Sequence, residues 1–341
     1  MFNASIGIDL GTSSVVVYIK GKGILLNEPS IIAYKKEEKS IIAVGQSAYK
    51  MLGRNHANIE VVRPLNKGVI SSYTLTEAMI KAFLAKTLRS NMISSKLMIC
   101  VPSGVTDVEQ RAVIETARQM NIKEIYIMEE PLAAALGAGL DITEPEGKMI
   151  VDIGGGTSDI AIVSAGKAIA QRSLKIAGDE FSEAVLNFMK REHNLIVGPQ
   201  TTERIKKVVG CVEKRKEDVS LVARGICNIT GLPKSVIVTS EQLRPEFSGL
   251  VHNITERIKE VLEEVSPQLQ GDILKSGILL SGGGSLIYGL DKVISKELGI
   301  KTFYAEDPFT CVAKGAGKAL DLVSVTDNPT KRVYKKAYIH E

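Results

Sequence analysis

The chain has 341 residues, 44% of them hydrophobic, with 43 Lys and Arg against 39 Asp and Glu and a net charge of +4. So even a balance gives no case for a nucleic-acid partner, and the length allows two lobes with cores of their own. No apolar run reaches the ~18 residues of a membrane-spanning helix; there is no basic-then-apolar leader, and the four cysteines (Cys100, Cys211, Cys227, Cys311) lack CxxC spacing, so a cytoplasmic, reducing setting is expected.

In chain order, residues 6–17 (IGIDLGTSSVVV) read as a strand carrying Asp9, a turn of Gly11, Thr12, Ser13 and Ser14, and a β-branched strand. Strands at 31–34 and 41–44 flank a charged turn and begin a small insertion that runs on through residues 51–60. Thr74 and Glu77 are spaced as a capping box, and Leu75, Met79 and Phe83 line one helical face. Met92 and Ile93 fall in a polar loop, SNMISSK. Residues 97–101 read as a buried strand, and Thr106 with Glu109 as the box that starts the next helix. A strand at 125–128 delivers Glu130 just before Pro131, at the carboxyl edge of a sheet, where open α/β sheets bind ligands. Such an acid either answers the helix dipole or faces a ligand.

Residues 151–164 (VDIGGGTSDIAIVS) are a second strand–turn–strand. Gly154, Gly155 and Gly156 are read as a turn able to adopt positive φ and lie against a ligand, with Thr157 and Ser158 at its mouth. Bare amides there make an anion site. Asp152 would repel a phosphate unless a divalent cation stood between them, so it reads as a Mg²⁺ carboxylate acting through water. Further on, Gly178, Asp179 and Glu180 start a helix, residues 202–207 form a basic amphipathic helix, and residues 254–265 form a long one. A buried strand at 278–280 ends in Ser281, Gly282, Gly283, Gly284 and Ser285. The chain has neither GxxxxGK[ST] nor GxGxxG, which excludes Walker-type and Rossmann sites.

The 6–17 motif and the 151–164 motif are two copies of one pattern. The helix after Glu130-Pro131 and that after Asp307-Pro308 are a second pair, each with a face of small residues. Duplication of both units implies two similar lobes and a cleft between two facing phosphate turns, each with an Asp: a nucleotide–Mg²⁺ clamp.

With these motifs, and with GKGILLNEPSIIA, VRPLNKGVI, VPSGVTDVEQRAV, EEPLAAALGAGL, IAGDEFSEAV, TGLP and GILLSGGGSLIYGLD, the chain from about residue 5 to 322 resembles the actin/Hsp70/hexokinase superfamily, and within it the bacterial actins of the MreB family. The resemblance implies an α/β, actin-like duplicated ATPase fold. Each lobe would be a core subdomain plus a smaller outer one: residues 1–146 and 315–325 with an outer part at 32–66, and residues 147–314 with an outer part at 182–243, followed by a basic tail at 326–341. It implies ATP and Mg²⁺ as ligands. Gly11, Thr12, Ser13, Ser14, Gly154, Gly155, Gly156 and Thr157 would hold phosphate, and Asp9 and Asp152 the metal. Glu203, Lys206 and Lys207 would hold ribose and base, with Gly282, Gly283, Gly284 and Ser285 as the third wall. Glu130 would hold a water in line with the γ-phosphorus, helped by Thr157, in slow ATP hydrolysis.

The family assembles head to tail, so the implied partner is the chain itself in a heterologous homopolymer, with paired protofilaments and paralogous filament proteins as further partners it allows. The family also carries an apolar membrane-dipping pair where this chain has Met92 and Ile93. In residues 329–341 (PTKRVYKKAYIHE), Lys331, Arg332, Lys335 and Lys336 either form a solvated terminus or contact anionic lipid at ~1 kcal/mol each, amplified along a filament. The expected localisation is therefore cytoplasmic and membrane-associated. Departures from the family pattern are Ser14 for Asn, Val15 for Thr and Val208 for an acid; divergent outer segments suggest a specialised paralogue. A small-molecule kinase of the same fold and an Hsp70-like ATPase are the alternatives, but no extra substrate motif and no client-binding domain is visible.

Overall fold

Ile6, Ile8 and Leu10 are buried in the first strand, and Val151 and Ile153 in its counterpart. That periodicity builds two sheets. The computed structural model describes residues 2–87, 92–119, 122 and 124–322.

The first half opens with β1 (Phe2–Leu10), β2 (Ser14–Ile19) and β3 (Gly23–Pro29). An outer unit follows: β4 (Ile32–Lys35), β5 (Ile41–Val44), α1 (Gln46–Met51) and β6 (Ile59–Val62). The short pair β7 (Leu65–Asn66) and β8 (Val69–Ile70) leads to α2 (Tyr73–Thr87), β9 (Met92–Val101), α3 (Asp107–Arg118), β10 (Glu124–Glu129) and α4 (Glu130–Gly137). The second half begins with β11 (Lys148–Ile153), β12 (Ser158–Ser164), β13 (Lys167–Leu174) and α5 (Gly178–His193). Its outer unit holds β14 (Leu195–Ile196), α6 (Pro199–Val209), β15 (Ser220–Cys227) and β16 (Pro233–Thr239). Then come α7 (Ser240–Glu263), α8 (Pro267–Ser276), β17 (Ile278–Ser281), a 3-10 turn (Gly283–Leu286), α9 (Leu290–Leu298), β18 (Thr302–Tyr304) and α10 (Cys311–Leu322).

The two main sheets repeat one topology. Their orders are β10-β9-β1-β2-β3 and β18-β17-β11-β12-β13. In each, the central strand has a parallel neighbour on one side and an antiparallel hairpin partner on the other. One core packs α2 and α3 on the first sheet through Met79, Phe83 and Val113. Another packs α5 and α7 on the second, where Phe181 and Phe247 meet edge to face at 4.9 Å. A third cluster joins the sheets through α4 and α10. These helices touch backbone to backbone: a Cβ on Gly315 would stand 1.7 Å from the Ala133 carbonyl, and one on Gly137 would stand 1.8 Å from that of Cys311. Lys318 on α10 donates to the Leu136 carbonyl at 2.9 Å, covering the open end of α4.

Three local expectations change. Met92 and Ile93 are not in a loop. They begin β9, in register with Phe2 and Asn3, because the start of β1 offers a parallel partner that the polar composition does not announce. The α2 cap is Ser72, whose hydroxyl accepts from the Leu75 amide at 3.4 Å, two residues before the expected Thr74. The helix expected over 254–265 starts at Ser240, capped by Thr239, and carries Pro245 inside it. The box at Thr106 and Glu109 forms as expected. Among the described residues no helix is long and apolar enough to cross a membrane. The expected basic residues Lys331, Arg332, Lys335 and Lys336 lie outside the described residues.

Candidate functional site

Between the two sheets lies a cleft of about 850 Å³, within the usual range for ligand sites. Its floor is built by the two hairpin turns. The turn after β1 is held by Ser30, whose hydroxyl donates to the Gly11 carbonyl at 2.5 Å and whose amide donates to the Ser13 carbonyl at 3.0 Å. The turn after β11 closes on itself, the Gly154 amide donating to the Thr157 carbonyl at 2.9 Å. The two turns touch: a Cβ on Gly155 would stand 2.0 Å from Ser13 Oγ. Gly154, Gly155 and Gly156 do not take positive φ, contrary to expectation. The second turn uses them for close approach instead. Positive φ is used at Gly282, at 79°, where the chain leaves β17 against the Ile153 backbone.

Asp9, Gly11, Thr12, Ser13, Ser14, Glu130, Asp152, Gly154, Gly155, Gly156 and Thr157 all line this cleft, as do Glu203, Lys206, Lys207, Gly282, Gly283 and Gly284. Ser285 does not. It is fully buried, and its hydroxyl donates to the Gly282 carbonyl at 2.7 Å, bracing the 3-10 turn from behind. Lys206 donates to the Gly178 carbonyl at 2.8 Å and pairs with Glu203 at 2.7 Å, while Lys207 pairs with Glu203 at 3.2 Å. Burial pushes Glu203 up, but the two lysines outweigh it and hold its carboxyl below the ordinary range.

Four acids converge at the floor: Glu130, Asp152 and Asp159 are buried and Asp9 is half-buried. Burial raises Asp9, and the Asp152 charge raises it further. Burial raises Glu130 well above a normal glutamate, followed by the charges of Asp159, Asp9 and Asp152. Asp152 is pushed up to about 6 by burial, against a hydrogen bond from Ser281. Its Oδ1 is buried without a hydrogen-bond partner. An orphaned carboxylate oxygen beside a bare glycine cradle fits a hydrated divalent cation and a polyphosphate. Among the described residues no three such side chains converge as a closed metal cage; Mg²⁺ characteristically keeps several waters and binds only one or two carboxylates.

Several groups of this site escaped sequence reading. Asp159 Oδ1 accepts from the Ser103 amide at 2.7 Å, joining the second sheet to the loop leaving β9. Arg63 donates to Ser13 at 3.0 Å and to Asp179 at 3.3 Å. Lys67 pairs with Glu180 at 2.6 Å, and Gln200 donates to the Tyr49 carbonyl at 2.9 Å, so the outer units also meet over the cleft. Asp159 follows the hydroxyl pair in the very motif that drew attention to Asp152, and its position there was the available signal.

The family model described as MreB/Mbl protein matches residues 3–328. The cell shape-determining protein Mbl of Bacillus subtilis (strain 168) is 43% identical, the match covering 94% of this chain and 97% of Mbl. The crystal structure of MreB5 of Spiroplasma citri bound to ADP superposes with a TM-score of 0.87 at 37% identity, covering 92% of this chain and 94% of that one. The same protein bound to AMPPNP gives 0.88 at 36% identity, covering 92% and 95%. The architecture is the actin-like α/β fold, and the duplicated turns, the matched family model and the shared length together place this chain in the MreB/Mbl family.

Proposed function

We propose that the chain is an actin-like cytoskeletal ATPase that binds ATP with Mg²⁺ in the cleft and polymerises in a nucleotide-dependent way, in cell-shape determination or motility. The observation that carries this reading is the meeting of two phosphate turns over four converging carboxylates, three of them buried. The amides and hydroxyls of residues 11–14 and 154–157 bind the phosphates. Asp9 and Asp152 hold the metal through water. Mg²⁺, when bound, neutralises phosphate charge. Glu130, at the start of α4, orients the attacking water, and Thr157 lines the same floor. Glu203, Lys206 and Lys207 on α6 hold the nucleoside. The binding of nucleotides by the MreB5 relative supports the ligand class.

Pelleting with electron microscopy in Mg-ATP, Mg-ADP and no nucleotide tests assembly. Filaments that depend on nucleotide are expected, and a chain that stays in the supernatant under every condition overturns the filament reading. Glu130→Ala is expected to leave ATP binding nearly intact and to slow phosphate release about tenfold or more; equal release removes Glu130 from the mechanism.

The proposal extends to association with an anionic membrane through Met92, Ile93 and the basic residues of 329–341. Removing residues 329–341 is expected to weaken binding to anionic vesicles while polymerisation persists. Undiminished vesicle binding returns that segment to a solvated terminus.

A further inference from the structure

A polyphosphate in this cleft needs positive charge, and neither turn supplies a side-chain cation: residues 11–14 and 154–157 offer only amides and hydroxyls. Three basic side chains line the cleft among the described residues: Arg63, Lys206 and Lys207. The two lysines are engaged on the α6 side, Lys206 with Gly178, Ser182 and Glu203, and Lys207 with Glu203. Arg63 is the one that reaches the turns. Its Nη1 donates to Ser13 Oγ at 3.0 Å, and Ser13 is the residue that the second turn touches at Gly155. The same nitrogen donates to Asp179 Oδ1 at 3.3 Å. Asp179 belongs to the second turn in its own way, its amide donating to the Gly155 carbonyl at 2.8 Å.

The Arg63–Asp179 pair is weak by construction. It is a single contact at 3.3 Å, with side chains 36% and 32% exposed. Exposed pairs of this kind add little to stability. A guanidinium matches the oxygens of a phosphate in a two-pronged way that this contact leaves unused. Arg63 is also well placed to transmit a change. It directly follows β6, an edge strand of the outer sheet β5-β4-β6, and Pro64 after it restricts its backbone to extended conformations.

We propose that Arg63 reads the terminal phosphate: it rests on Asp179 when a diphosphate is bound and exchanges Asp179 for the γ-phosphate of a triphosphate, carrying the first outer sheet with it. This rests on the nucleotide reading above. The neighbouring Lys67–Glu180 pair, at 2.6 Å, ties the β7–β8 turn to α5 during the exchange, so the cleft stays closed while Arg63 and the outer sheet shift.

The test uses the full chain with Mg²⁺ and two probes, ADP and the non-hydrolysable triphosphate AMPPNP, titrated calorimetrically against wild type, Arg63→Gln and Asp179→Asn. Arg63→Gln is expected to weaken AMPPNP about tenfold and ADP by less than about threefold. Asp179→Asn frees the guanidinium and is expected to strengthen AMPPNP relative to ADP by about threefold. Both substitutions break the same ion pair, so a merely structural latch predicts the same effect from each. Like changes in the two variants, or an unaltered AMPPNP-to-ADP ratio in both, overturn the proposal. Wild type that binds neither probe overturns the nucleotide reading itself.

Discussion

Asp159 Oδ1 accepts a hydrogen bond from the Ser103 amide at 2.7 Å, linking two residues 56 positions apart, one in β12 of the second sheet and the other in the loop leaving β9 of the first. Both residues are buried. Removing the acceptor leaves a buried N–H unpaired, at a cost of about 1–3 kcal/mol. Asp159→Ala is expected to lower the stability measured by urea unfolding by that amount. Asp159→Asn keeps a carbonyl acceptor and is expected to lose less than half as much. An equal loss in both variants would assign the effect to the charge instead of the hydrogen bond.

Asp152 holds a buried charge with one oxygen unpartnered, an arrangement that favours a ligand at the expense of the empty fold. Asp152→Asn is expected to stabilise the nucleotide-free chain by about 2 kcal/mol in chemical unfolding at neutral pH. The same variant is expected to lose the gain in nucleotide affinity that Mg²⁺ gives wild type. If its midpoint falls, Asp152 is a structural residue.

Glycine matters where backbones meet. Gly315→Ala drives a methyl into the Ala133 carbonyl, which no side-chain rotation relieves. A loss of about 3 kcal/mol is expected. A methyl on Gly271 in α8 would meet no atom within 4 Å, so Gly271→Ala is expected to add about 0.5–1 kcal/mol by helix propensity alone. Denaturant titration of the pair separates close packing from propensity, and similar losses in both would refute the α4–α10 contact as the cause.

Cys227 is the reactive thiol among the four cysteines. Hydrogen bonds from the Thr230 side chain and amide, and from the Ile229 amide, hold it down to about 7. Burial pushes Cys100, Cys211 and Cys311 up. The thiolate fraction of Cys227 therefore rises as pH passes upward through about 7. Mass spectrometry after brief iodoacetamide treatment should find one modified thiol, with a rate that climbs between about pH 6 and 8. Thr230→Val should move that profile to higher pH; an unmoved profile excludes Thr230 as its source.

What could be read from the chain was what is local. Asp9 and Asp152 each sit one strand residue before a turn of glycine and hydroxyls, and those turns form where the pattern repeats. Ser285 looked equivalent to its glycine neighbours because spacing does not tell which side of a 3-10 turn a side chain takes. Arg63 was hidden because its partners lie 50 and 116 residues away. Met92 and Ile93 were misread because strand pairing can recruit a polar stretch whenever a neighbouring strand needs a partner.

The last described helix lies against the first strand. Gly317 of α10 packs on Tyr18, and a Cβ on Gly7 would stand 2.6 Å from the Gly317 amide. During synthesis the opening sheet therefore emerges long before the helix that covers that face. That face stays bare until α10, about 300 residues further along the chain, has been made, so this lobe finishes folding late although it is translated first.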